Sequence, residues 1–263
     1  MRRLLPLAAL VALAACGAEP EGEPSRETVE RIVARGRPAC EARRFEGAAF
    51  TVCQADTRRD RIELVVAGPD RRPLRSLAAL EQVLRAEAGA VRFAMNAGMY
   101  DQDGRPIGLY VESGAEKRTL NLRKGRGNFH LLPNGVFAVE RDGRASVTES
   151  RRFRRAVPSP LFATQSGPML VIDGRLHPGF DADGESRHVR NGVGVRDDGR
   201  SAFFVISEEP VSFGRFARFF RDALGCRQAL YLDGSVSSLW DPGAGRQDGY
   251  SELGPMLVVR RGA

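Results

Sequence analysis

Residues 230–240 read LYLDGSVSSLW, and the reading of this stretch decides how the chain folds around its chemistry. Leu230, Tyr231 and Leu232 have strand-forming character, and the run stops at Asp233-Gly234. The hydroxyls of Ser235, Ser237 and Ser238 follow. Asp-Gly is a common hairpin turn, so ordinary turn chemistry explains the pair as well as function does. A strand that ends on a carboxylate, a glycine and several hydroxyls also places reactive groups at the mouth of a core. The balance shifts because the same arrangement recurs earlier in the chain.

In VRFAMNAGMYD (91–101), apolar strand residues run into Asn96-Ala97-Gly98. An asparagine there is costly unless its amide finds partners, and Gly98 permits close approach by another group. Asn121, Lys124, Gly125, Gly127, Asn128 and Phe129 suit a loop that binds anionic oxygens through backbone N–H groups and charge-assisted bonds. The loop lacks the spacing of a nucleotide-binding P-loop. Gln165 and Ser166 precede Gly167-Pro168 and the apolar run MLVI, and Arg190-Asn191 precede GVGV. Polar groups beside glycine are expensive to scatter through a core. If they converge, they form a pocket of amides with one carboxylate, Asp233, and two cations, Lys124 and Arg190. Gly234 and Ser237 belong to the same pocket, with Ser237 orienting Asp233 or binding phosphate. Glu112 is the second choice of carboxylate.

The rest of the chain supplies a scaffold. Residues 45–53 and 61–67 read as consecutive strands, and 107–112, 202–206, 229–232 and 255–259 as further strands. Residues 76–88 read as an amphipathic helix capped by Ser76 and ended by Gly89. Residues 213–224 read as a second helix whose phenylalanine face packs into the core. Asn134-Gly135 reads as a hairpin turn between strands containing Leu131–Leu132 and Val136–Val139. Asp173-Gly174 and Asp198-Gly199 read as plain turns, and Arg151–Arg155 as a solvated connector. Asp101–Gly104 resembles a calcium loop, but Arg105 and Pro106 occupy positions that need a ligand and a glycine, so it reads as a turn.

The first residues read as an address. Arg2 and Arg3 precede a short apolar run, Leu4 to Leu13, and then Leu13-Ala14-Ala15-Cys16 in the order of a bacterial lipobox. The expectation is a lipoprotein signal peptide over 1–15, lipid on Cys16, a flexible tether over 16–28 and one domain over 29–263. A short helix over Glu27–Arg35 opens that domain. The expected location is the bacterial cell envelope, facing the periplasm or exterior, with the lipid as the membrane attachment. An oxidising compartment favours a Cys40–Cys53 disulfide and a buried free Cys226; pairing of Cys226 with either of the others is the alternative. The formal charge is +7. Without Arg2 and Arg3 there are 38 basic and 33 acidic residues, or +5. No basic stripe with interleaved aromatics accompanies that charge, which argues against nucleic acid as a partner.

Taken together, FAMNAGMYD (93–101), GLYVESG (108–114), LN (120–121), GRGNF (125–129), NGVF (134–137), TQSGPML (164–170), RNGVGV (190–195) and LYLDGSVSSLW (230–240) resemble the phosphodiester glycosidase family, in its bacterial branch. This is the family of the lysosomal uncovering enzyme, which removes N-acetylglucosamine from mannose-6-phosphate diesters. The resemblance implies one α+β (mixed α/β) domain of mostly antiparallel or mixed sheets covered by a few helices. It also implies hydrolysis of a sugar-1-phosphodiester, and some bacterial relatives are associated with exopolysaccharide. Such chemistry needs donors for a leaving phosphate, a role open to Lys124, Arg190 and the amides of Asn96, Asn128, Gln165 and Asn191. It also needs a carboxylate acting on water or on the anomeric carbon, a role open to Asp233.

Other chemistries fit less well. His130, His177 and His188 are the only histidines and show no metal-ligand spacing, so no cofactor is expected, though a divalent metal stays open. No G-x-S-x-G elbow points to a serine hydrolase. His130 and Trp240 read as packing residues before sugar contacts. The rival from another class is a non-catalytic lipoprotein that binds a glycan or phosphodiester in the same pocket.

Overall fold

Several strands are buried along their whole length, as in SAFFVIS at 201–207, with an apolar middle between two serines. Such strands need cover on both faces. The computed structural model, which describes residues 37–262, meets that need with three antiparallel sheets around one core. The first runs in the order β1 (Cys40–Phe45), β2 (Ala48–Asp56), β13 (Ser201–Ser207), β12 (Asn191–Val195), β14 (Gln228–Tyr231), β10 (Met169–Ile172), β11 (Arg175–Leu176). The second is β16 (Arg246–Gln247), β15 (Leu239–Asp241), β4 (Val91–Asn96), β17 (Met256–Arg261), β3 (Asp60–Val65). The third is β6 (Ala115–Arg118), β5 (Tyr110–Glu112), β9 (Phe162–Ser166), β7 (Gly135–Val139), β8 (Ala145–Glu149).

The inward faces share one cluster that includes Phe93, Phe137, Phe204, Leu230 and Leu257. Each outward face is covered by a helix. Helix α1 (Leu77–Val83) packs Leu77 and Leu80 on Ala94, Met256 and Val258 of the second sheet. Helix α2 (Ser150–Ala156) buries Phe153 against Val136, Ala138 and Ala163 of the third. Helix α3 (Phe213–Arg218) continues as a π-turn through Phe219–Ala223 and sets Phe216, Phe219 and Phe220 on the first. Phe50 stacks on Phe219 at 4.1 Å between ring centroids. Truncating such a phenylalanine to alanine costs about 3–5 kcal/mol. The fold is thus the expected α+β arrangement of mostly antiparallel sheets with few helices.

Some local readings change. The strand β1 was missed because Glu41, Arg43 and Phe45 give no apolar alternation; its pairing with β2 holds it. Cys40 and Cys53 face each other in that ladder and form the expected disulfide, with Cα atoms 4.1 Å apart. Cys226 is a buried free thiol, and burial pushes its pKa up to about 12. Arg151–Arg155 is not a connector but the body of α2, since arginine suits helices and Phe153 anchors the inner face. Asn134-Gly135 is not a hairpin turn: residues 131–134 form no strand, and Asn134 is buried with its Nδ2 donating to the Phe129 carbonyl at 2.7 Å. The hairpin follows instead at 140–144, where Gly143 has φ +81°. The segment 164–172 is two strands separated at Gly167-Pro168. The readings of residues 1–28, including Cys16, and of the helix over 27–35 lie outside the described residues.

Candidate active site

Three strands from two sheets bring the polar ends together. Asn96 closes β4 and Asn191 opens β12, both buried. Asp233 lies two residues past the end of β14. The Asn96 Nδ2 donates to the Asp233 carbonyl at 2.7 Å. Its Oδ1 accepts from the Asn191 Nδ2 and the Ser238 backbone N–H, each at 2.9 Å. The Asp233 N–H donates to the Ala97 carbonyl at 3.2 Å, and the Leu232 N–H to the Asn191 carbonyl at 3.1 Å. These bonds lace both sides of the 232–238 turn to the ends of β4 and β12. The Asn191 Oδ1 is buried without a partner among the described residues, so the network keeps an open acceptor.

The Asp233 side chain is mostly withdrawn from water, and this burial raises its pKa against opposing hydrogen bonds from the Ser235 backbone and hydroxyl. A desolvated carboxylate of this kind is a stronger base toward water than an exposed aspartate. Beside it stands Tyr231, also buried, whose hydroxyl interacts with Arg190, Asp233 and the Gly234 N–H. Burial raises the tyrosine's pKa and the Arg190 charge opposes that. Gly234 is required for this contact. Its φ is not positive, so no left-handed turn demands glycine, but a Cβ there would collide with the Tyr231 hydroxyl.

Arg190 is only 1% exposed and forms no ion pair with a carboxylate among the described residues. Its Nε donates to the Val211 carbonyl and its Nη2 to the Ser186 carbonyl, both at 2.9 Å. The guanidinium lies 3.5 Å from the Phe213 ring centroid, and burial lowers its pKa. With these donors occupied, its charge acts on the site through Tyr231. The sequence marks Tyr231 as a strand residue only. The signal that finds it is Gly234, a glycine that no backbone angle explains.

A second amide group is organised differently. Gln165, on β9, is buried, and its Oε1 accepts from the Leu109 and Asn121 N–H groups at 3.0 and 2.9 Å. Its Nε2 donates to the Asn121 carbonyl at 2.7 Å and to the Ser150 hydroxyl at 3.1 Å. Asn121 in turn donates to the Ile107 carbonyl at 2.9 Å and accepts from the Arg123 N–H at 3.1 Å. Both amides therefore fasten the loop that follows β6. Lys124 and Asn128 are exposed on that loop, and neither side chain has a bond among the described residues. His130 packs under the loop, with Nδ1 donating to the Arg123 carbonyl at 2.8 Å.

Gly98 links the two groups. A Cβ on it would lie 2.6 Å from the Gln165 carbonyl oxygen, so glycine lets the 96–98 turn press against β9. Ser166 is buried with its hydroxyl unpartnered among the described residues. The Ser237 hydroxyl donates to the Gly234 carbonyl at 2.9 Å, closing the turn on itself. Glu112 is engaged by Tyr110 and Lys117, each at 3.0 Å. Trp240 is buried in β15. Among the described residues no group of three or more His, Cys, Asp or Glu is arranged to hold a metal ion, and no helix is long and apolar enough to cross a membrane.

The family model for phosphodiester glycosidases matches residues 89–249, a span that includes every residue of both amide groups and Asp233. The chain belongs to the phosphodiester glycosidase family. A curated relative, the uncharacterized protein YigE of Escherichia coli (strain K12), is 39% identical over 155 residues, which make up 59% of this chain. The match spans 60% of that relative's length. Among solved structures, the catalytic domain of zebrafish N-acetylglucosamine-1-phosphodiester alpha-N-acetylglucosaminidase, auto-inhibited by its pro-peptide, superposes with a TM-score of 0.58. That match covers 85% of this chain and 82% of the other at 13% identity, a likeness of fold. The phosphodiester glycosidase fold thus extends beyond the span of the family model.

Proposed function

We propose that the protein hydrolyses a sugar-1-phosphodiester, cutting between the anomeric carbon and the phosphate oxygen. The observation that carries this reading is the desolvated Asp233 carboxylate, fixed by the Asn96–Asn191 braces beside the Arg190–Tyr231 pair. Membership of the phosphodiester glycosidase family supports the same reaction class.

In the direct route, Asp233 takes a proton from water as the water oxygen bonds to the anomeric carbon. The carbon–oxygen bond breaks and its electron pair leaves on the phosphate, which departs as a phosphate monoester. In the alternative route, Asp233 attacks the anomeric carbon itself and water later releases the sugar. Phosphate is a good leaving group, so stabilising its charge matters more than protonating it. The Tyr231 hydroxyl backed by Arg190, and Lys124 reaching in from its loop, are the proposed donors. The Asn191 Oδ1 and the Ser166 hydroxyl are open to sugar hydroxyls.

The Cys40–Cys53 disulfide supports an oxidising compartment. The proposal therefore includes export, a lipid anchor on Cys16 and an envelope glycan as substrate. Fatty-acid labelling of the expressed protein, lost in Cys16→Ser, is the expected result for the anchor.

The reaction is tested with a panel of sugar-1-phosphodiesters, following free sugar and phosphate monoester together. Equal release of both is expected, with a loss of about 10³-fold in Asp233→Asn. Binding across the panel without turnover would instead make the protein a glycan-binding module.

A further inference from the structure

The turn that carries Asp233 has a second side. Its hydroxyls, Ser235 and Ser237, face a cleft of about 450 Å³, a size that accommodates one or two sugar rings. Ser235 belongs to both places, since it lines this cleft and also hydrogen-bonds the Asp233 carboxylate.

Another part of the lining is a closed ionic network. Arg246 places Nη1 2.6 Å from the Glu208 carboxylate and Nη2 3.0 Å from the Asp248 carboxylate. Its Nε also donates to Asp248 at 3.1 Å. One guanidinium against two carboxylates leaves this part of the lining with a net charge of −1, and the guanidinium's donors are already engaged. A phosphate is therefore repelled here. A neutral, hydroxyl-rich ligand finds acceptors in Glu208 and Asp248, and hydroxyl partners in Ser235 and Ser237. Val189, partly exposed at the cleft, adds apolar surface suited to the C–H face of a sugar ring.

Tyr250 stands at the same cleft with 93% of its surface exposed, far more than the other exposed large hydrophobic residues among the described residues, which reach 48% at most. A tyrosine carries an apolar ring face and a polar tip, and beside a hydroxyl-lined cleft both can engage a sugar ring.

We propose that this cleft is a second carbohydrate subsite, which takes a neutral sugar attached to the one whose anomeric carbon is attacked. The substrate's glycosyl group is then an oligosaccharide and not a single sugar. The phosphate end lies away from this cleft, toward Tyr231 and Lys124. This assignment rests on the hydrolytic reading of Asp233, but the cleft can be tested without turnover.

The test titrates chitotriose and maltotriose into the full Asp233→Asn protein, and into the same protein carrying Tyr250→Ala, by calorimetry. Tyr250 is so exposed that its truncation leaves the fold intact. At least one trisaccharide is expected to bind, with affinity falling tenfold or more in Tyr250→Ala. In the Asp233-containing protein, kcat/KM is compared for disaccharide and monosaccharide 1-phosphodiesters that share one aglycone. The disaccharide is expected to be preferred, with the preference falling about tenfold in Tyr250→Ala. Binding of neither trisaccharide, binding unchanged by Tyr250→Ala, or inorganic phosphate competing for the same site overturns the proposal. Trisaccharide binding that depends on Tyr250 in a protein with no turnover keeps the subsite and removes the hydrolase reading.

Discussion

Two amide groups in this molecule look alike in sequence, each with an Asn or Gln within two residues of a glycine at a strand end (Asn96 and Asn191 in one, Gln165 in the other), yet they are used in opposite ways. Around Gln165 and Asn121, each amide is spent on backbone and hydroxyl partners. That group is closed and serves to hold a loop. Around Asn96 and Asn191, the bonds fix the backbone on either side of Asp233 and leave the Asn191 Oδ1 open. The desolvated carboxylate stands in the second group and not in the first. Residue type marks where polar groups are concentrated, while the hydrogen bonds left unmade mark where a ligand fits.

This contrast can be broken or sharpened by substitution. The largest effect is expected at Asp233, where Asn lowers kcat/KM for a sugar-1-phosphodiester by about 10³-fold, or about 4 kcal/mol. Gln165→Leu comes next and acts on stability. It strands the Leu109 and Asn121 backbone groups and is expected to cost roughly 3 kcal/mol, read as a lower denaturation midpoint. Asn191→Ala should reverse that emphasis, with a loss of about 30-fold in kcat/KM, or about 2 kcal/mol, exceeding its effect on the midpoint. If Gln165→Leu depressed kcat/KM in a fully folded protein as much as Asn191→Ala does, the division into fastening and site groups would fail. Gly234→Ala pushes the Tyr231 hydroxyl aside and is expected to cost roughly 2 kcal/mol by overpacking.

The smallest effect is a gain. Burial raises the pKa of Asp233 in the folded state above its unfolded value. The folded protein therefore keeps that proton to higher pH than the unfolded chain does. Stability contributed by this group falls as pH rises from the ordinary aspartate value to the raised one, and is level above it. Asp233→Asn removes the penalty, so it should be more stable than the parent at neutral pH, with the advantage vanishing in acid, read as denaturation midpoints across pH. Activity follows the same group in the other direction: kcat/KM should fall as the pH drops through the raised value.

Much of this was legible before the fold. The 230–240 stretch pointed to Asp233, and the polar strand ends pointed to Asn96 and Asn191, because a buried amide must be explained by a partner. The Cys40–Cys53 pair was legible from spacing and compartment. What was not legible follows from tertiary packing. Tyr231 looks like any aromatic strand residue until the Gly234 contact is seen. Gln165 looks like a ligand until all its bonds are traced. Arg190 reads as a pocket cation that binds phosphate directly, but Phe213 and two carbonyls enclose it. The arginine run at 151–155 showed no apolar stripe because one phenylalanine, Phe153, is enough to seat its short helix.

Asp233, within the Asn96–Asn191 brace, is proposed to drive hydrolysis at an anomeric carbon. The most direct measurement runs the reaction in ¹⁸O-water and locates the label in the products, for the parent and for Asp233→Asn at matched folded concentration. Label is expected in the sugar and none in the phosphate monoester, with turnover lost in the variant. Label in the phosphate, or equal turnover by the variant, would contradict the proposal.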